Sequence, residues 1–416
     1  MMTNYKPLAF AICFAFSSSA LAAEFVFVNE SVLKENRALL HSDAAPASMK
    51  LSYERLLEEA GYATKAGPFS VTDKGMTPPS GDKNDYLSIS PYWWPDKNKA
   101  DGLPWIRHDG KVNPASKTSE TDSKRLGKFT RSVRALAIAY YFSQDEKYAE
   151  TAIDYIRTWF LNPETRMNPN MNFAQGVPGR ADGRRSGLID SRSFADRMLD
   201  AVAMVSTSPN WTEADEKGIN QWYSEYLNWL LTSELGGGPK GEAYAENNHG
   251  SWYDLQVAGI SYFLGKESVA MNIVEKGKMR IDTQFMPDGT QPHELGRTRS
   301  YHYSYFNLDA LAGVAQVGEK IGIDLWSYQS PTGASLKKGI DLVAQYHDNA
   351  EGWPYQHKKT PRTMRMIPIY RKAGLGMSDE SLLALSKSGD FSKYTVKKNL
   401  AEIWAERDIE LLYPRK

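Results

Sequence analysis

Apolar residues recur along most of the chain at the three- and four-residue spacing of a helix with one buried face. Between Gly127 and Ser143, residues Phe129, Val133, Leu136, Ala137, Tyr140 and Tyr141 share one face. A polar turn, Ser143-Gln144-Asp145-Glu146, separates them from a second stripe of Tyr148, Ala152, Ile153, Ile156, Trp159 and Phe160. Together the two read as an antiparallel helix hairpin. Similar stripes run from Ser193 to Val205, Glu213 to Leu231, Trp252 to Phe263, Glu267 to Phe285, Tyr305 to Ile321, Ser335 to Tyr346 and Asp379 to Leu385. Strand-like alternation is scarce. The pattern predicts an all-α chain built as an α/α toroid, an incomplete barrel of six or seven helix hairpins. Two long polar connections rich in Pro and Gly, Val71–Arg125 and Leu161–Ser191, exceed what compact domains carry without a use. They are the expected rim of a binding cleft.

The first residues break the helical pattern. A polar start with Lys6 leads into an apolar run, Leu8 to Phe16, and then Ala20-Leu21-Ala22, the order of a signal peptide cleaved near residue 22. The run is too short to cross a membrane. The expectation is a periplasmic or secreted protein whose residues 23–416 form a single domain. Cys13, the only cysteine, falls in the leader, so no disulfide, thiolate nucleophile or cysteine metal site is expected afterwards. Lys plus Arg and Asp plus Glu balance at 50 each, which gives no global pull on nucleic acid, and an anionic partner must be held locally. Aromatics make up 12% of the residues, enough to serve both helix packing and sugar stacking.

Three segments carry candidate chemistry. Glu246-Asn247-Asn248-His249-Gly250-Ser251-Trp252 puts amides and an imidazole just ahead of an apolar stripe, either as a helix cap with a packed His or as a reactive surface. Glu294-Leu295-Gly296-Arg297-Thr298-Arg299-Ser300-Tyr301-His302-Tyr303 gathers Arg, His and Tyr side chains that are costly to bury unpaired. Leu87 to Asp96, with Tyr92, Trp93 and Trp94 between Pro91 and Pro95, predicts an extended loop with exposed aromatics. Gln175 and Arg184, in the second long connection, add an amide and a cation suited to a carboxylate, or to pairing with Asp182 and Asp190.

Together Asn247-Asn248-His249 with Trp252, Glu294 to Ser300 with Tyr303, and Tyr92-Trp93-Trp94-Pro95 resemble the alginate lyase superfamily, polysaccharide lyase families 5 and 38, with spacing closer to family 38. The resemblance spans roughly Tyr86 to Asp309. It implies an α/α toroid in which Asn248 and Arg297 neutralise a uronate carboxylate, His249 transfers a proton, and Tyr303 is base and acid. In family 5 the catalytic Tyr is followed by His, the form of Tyr301-His302 here, whereas the distance from Arg297 favours Tyr303. Substrate contacts are expected from Tyr92, Trp93, Trp94, Gln175, Arg184, Arg299, Tyr301 and His302, with an acidic polysaccharide, alginate or glucuronan, as partner.

The residue types suit β-elimination at a 4-linked uronate. The weakly acidic C5 proton must be removed, the adjacent carboxylate neutralised and the leaving O4 protonated. A Tyr with its pKa lowered by nearby Arg fits the proton transfers, and no metal or cofactor is required. In mannuronate and glucuronate the C5 hydrogen and O4 share a face, so one Tyr can serve both. In guluronate they oppose, and His249 and Tyr303 must divide the work. An inverting glycoside hydrolase on the same fold would need two carboxylic acids across a cleft, and Glu242, Glu246 and Glu294 show no setting that marks one. A non-catalytic sugar-binding protein would have no use for His249 and Tyr303 together.

Overall fold

The computed structural model describes residues 25–415. The leader, including Cys13 and the cleavage point, lies outside them. The chain is an α/α toroid. Helices follow one another as hairpins, for example Ser123–Ser143 with Glu146–Ile156, and Asn248–Phe263 with Glu267–Gln284. None of the described helices is long and apolar enough to cross a membrane.

The inner helices show why they are inner. In Asn248–Phe263 every residue is buried except His249 and Tyr262, and Ser300–Lys320 is nearly as enclosed, so neither has a solvent face. Trp252 packs on Phe306 with ring centroids 4.8 Å apart. Farther along both helices, a Cβ on Gly313 would lie only 2.6 Å from Leu255. The contacts advance together, so the two helices run parallel and begin at the same end of the toroid. Much of the aromatic excess goes into packing: Phe129 stacks on Trp159 at 4.6 Å, and Phe160 meets Trp222 at 4.5 Å.

Two helices that showed no clear stripe, Glu30–Leu40 and Ala47–Ala63, precede the first expected hairpin. The stripe Ser193 to Val205 divides at Arg197 into Ser193–Asp196 and Met198–Val205. The two long connections join each other. Leu87–Ile89 from one pairs in parallel with Phe173–Gly176 from the other, and Arg185–Arg192 packs beside the pair. That approach needs Gly187, where a Cβ would sit 2.3 Å from the Ala174 carbonyl oxygen. The aromatic segment is not a free loop, because Trp93–Trp94 pairs antiparallel with Ile106–Arg107.

Candidate active site

The two parallel inner helices open into a cleft of about 690 Å³ that is lined by Asn248, His249, Arg297 and Tyr303. Residues some fifty positions apart therefore meet because both stand in the first turn of helices starting at one end. The N-cap Asn247 accepts from the His249 backbone N–H at 3.3 Å. Two helix N-termini facing one cleft also favour an anionic ligand.

His249 is oriented by a residue that the sequence did not single out for that task. Its Nδ1 lies 2.5 Å from Oε1 of Glu242, whose other oxygen accepts from Arg185 at 2.7 Å. Glu242 is 1% exposed and His249 22%, which leaves Nε2 as the nitrogen available to the cleft. The turn carrying Glu242 is clamped from below. Arg280 donates to the carbonyls of Ala243 and Ala245 and pairs with the buried Asp254, and Lys276 adds a bond to Ala243. Gly250 makes room for this clamp, since a Cβ there would meet the Ala245 carbonyl at 2.1 Å and Arg280 at 2.5 Å.

Asn248 is equally constrained. Its amide nitrogen donates to Glu294 at 2.8 Å and its backbone N–H to the same carboxylate at 2.7 Å. Burial pushes Glu294 up, against the pull of Asn248 and Arg297. Arg297 reaches the cleft already paired, donating to both oxygens of Asp109 at 2.7 and 3.3 Å. Burial works against the Asp109 carboxylate, but Arg297 and Thr298 outweigh it and hold it well below the usual range. Nη1 of Arg297 keeps no protein acceptor among the described residues.

Tyr303 departs from expectation in one respect. Arg297 lies 3.7 Å from the ring centroid and lowers the phenol pKa, yet burial dominates and pushes it well above the ordinary value. The resting phenol is therefore protonated. Its oxygen is 2.9 Å from that of Tyr92, brought in by the strand hairpin.

The remaining expected residues divide. Trp93, Gln175, Arg184 and His302 line the cleft with Tyr92. Gln175 holds φ at +50°, a strained backbone for a non-glycine residue, and its amide donates to Asp190 at 2.8 Å. Arg184 and Arg180 lie 5.4 and 5.2 Å from the Trp93 ring centroid. His302 is pushed down to about 3, first by burial and then by Arg299 and Arg365, so it is neutral. Three residues do not line the cleft. Trp94 is turned aside, its indole donating to Lys111. Tyr301 is 1% exposed and packs against Trp353 at 5.1 Å, because residue 301 falls on the core face of the helix. Arg299 lines a smaller neighbouring pocket. Asp109 is the participant that the sequence left unmarked, and Glu242 one considered only as a hydrolase acid.

An enclosed toroid whose cleft gathers an imidazole, a phenol, an amide and guanidinium groups has the outline of a polysaccharide-processing enzyme. Residues 70–353 match the alginate lyase family, and the chain belongs to it. It is a polysaccharide lyase. A comparison with curated proteins finds no match. Among solved structures, an alginate lyase from Bacteroides ovatus is 33% identical, with a TM-score of 0.84 over 95% of this chain and 100% of that one. Alginate lyase A1-III from Sphingomonas species A1 shares the fold at 15% identity and a TM-score of 0.55, over 84% of this chain and 87% of that one. A variant of A1-III complexed with a tetrasaccharide reaches 0.60 at 15% identity, over 94% and 96%.

Proposed function

We propose that this chain is an alginate lyase of polysaccharide lyase family 38. It is exported by the leader at residues 1–22, acts in the periplasm or outside the cell as a single domain from residue 23, and cleaves 4-linked mannuronate and guluronate by β-elimination. The observation that carries this reading is the shared cleft: His249 fixed by Glu242, and Tyr303 beside Arg297, at the ends of two parallel helices. The carboxylate of the reacting sugar sits against the Asn248 amide and the free Nη1 of Arg297. That neutral environment acidifies the C5 proton.

On guluronate, Nε2 of His249 takes that proton and Tyr303, held in its acid form, protonates O4. On mannuronate both transfers fall to Tyr303: its own proton leaves through the open cleft to solvent, the phenolate is held by Arg297 and by the Tyr92 hydroxyl 2.9 Å away, and the proton it takes from C5 is then delivered to O4. Trp93, Gln175 and Arg184 contact flanking sugars. Glucuronan differs from polymannuronate only at C2, away from the bond broken.

The test is incubation with polymannuronate, polyguluronate and glucuronan while following the ultraviolet absorbance of the C4–C5 double bond. A lyase on alginate makes that chromophore from the first two. Reducing ends without it would mean hydrolysis, and product from glucuronan alone would replace alginate as the substrate.

A further inference from the structure

Beside the reaction cleft lies a second cavity of about 270 Å³. His302, Tyr305 and Arg365 line both. The rest of its wall carries Arg299, Lys359 and Arg362, and no carboxylate lines it. Several buried guanidinium groups elsewhere have acidic partners, as Arg280 has Asp254 and Arg134 has Asp408. Here, among the described residues, Arg299, Lys359 and Arg365 have none within ion-pair distance, and Arg362 reaches only Glu402 at 3.8 Å. Nε of Arg365 is buried with no hydrogen-bond partner. His302 in the shared wall is neutral, chiefly through burial and then through Arg299 and Arg365.

This cavity is built rather than incidental. The segment that supplies Lys359 to Arg365 is strapped to the start of the tyrosine helix. Ser300 N–H donates to the Gln356 carbonyl at 3.1 Å, Lys358 N–H donates to the Thr298 carbonyl at 2.9 Å, and Arg299 pairs with His357 as a backbone bridge. Three cations without counter-charges beside a fourth, Arg362, that has only a distant one repel one another unless an anion joins them. Guanidinium forks suit a carboxylate.

We propose that this pocket is an accessory subsite that takes the carboxylate of a uronate adjoining the one that reacts, an inference that rests on the lyase reading above. Binding there anchors the polymer beyond the reaction centre, so oligomers long enough to reach it gain affinity. Free phosphate or sulfate shares the needed chemistry and is the competing occupant.

Calorimetric titration of Tyr303→Phe with oligomannuronates of two to six sugars, alone and with K359Q/R362Q added, separates these cases. Both side chains are exposed, so their replacement leaves the fold intact. The expected result is a step in affinity at one chain length that falls roughly tenfold in the added double variant and is absent for carboxyl-reduced oligomers. An equal effect at every length, or no effect, overturns the proposal. So does inorganic phosphate that binds only when Lys359 and Arg362 are present while the length series stays the same. If the unmodified enzyme makes no unsaturated product, the lyase reading fails separately, and the titration still decides the pocket.

Discussion

Replacing Glu242 with Gln isolates the part of the site that orients the imidazole. The carboxylate is 1% exposed and serves two donors, His249 Nδ1 at 2.5 Å and Arg185 at 2.7 Å. A Gln has one acceptor oxygen and an NH2 group, so it can satisfy only one of them. If its oxygen turns to Arg185, the NH2 faces Nδ1, the ring proton moves to Nε2 and the base loses its lone pair. If its oxygen turns to His249, the tautomer survives but the charge assistance is gone and two donors abut. A hydrogen bond to a charged group contributes about 1.5–3 kcal/mol, so kcat on polyguluronate should fall roughly 10- to 150-fold. Arg185 is 46% exposed, and Arg185→Gln should cost less than about fivefold. Initial rates of unsaturated product, with melting curves to confirm folding, give the comparison. A Glu242→Gln enzyme within about threefold of the parent would refute the assigned role of this dyad.

Other outcomes follow from the same geometry. Tyr303→Phe should abolish chromophore formation while leaving polymer binding nearly intact, whereas Tyr301→Phe should retain activity; kinetics paired with calorimetry check both. His249→Ala should harm guluronate cleavage more than mannuronate cleavage, and equal losses would count against divided proton transfer. Gly250→Ala drives a Cβ into the Ala245 carbonyl and Arg280, so it should destabilise the fold by about 1–3 kcal/mol in denaturant titration and lower activity as the Glu242 turn shifts. His302 has a folded pKa of about 3, below its ordinary 6.5. The unfolded chain therefore binds a proton that the native one refuses, and stability falls as pH drops through that window. His302→Asn should flatten this slope relative to the parent, as read from denaturant midpoints.

The toroid was legible because most helices bury one face against a neighbour, and burial writes a period into the chain. Where a helix meets the cleft the period disappears. Asn248–Phe263 begins four residues before its stripe, and Ser300–Lys320 five before. Those first turns hold His249 and Tyr303, polar residues selected by chemistry rather than packing. Their clustering by residue type was visible even though their helical state was not. Glu242 was not visible as a partner, since it acts from a short turn with no periodicity and reaches His249 only because Arg280 holds that turn. Asp109 lies 188 residues from Arg297, and nothing local links them. The Trp93–Trp94 strand is two residues long, too short to leave alternation. Arg297 near Tyr303 points to an acidified phenol, but the burial that outweighs it is set by the tertiary fold and has no local signal.

The central claim is that one uronate is gripped where His249, Asn248, Arg297 and Tyr303 meet. Its most direct test is a structure of Tyr303→Phe soaked with a mannuronate tetramer. The account predicts one sugar carboxylate within hydrogen-bond reach of both Asn248 and Arg297, with C5 facing the residue-303 ring. A tetramer bound with that carboxylate on Arg184 and Arg185 instead, and C5 turned away from residues 249 and 303, would contradict it.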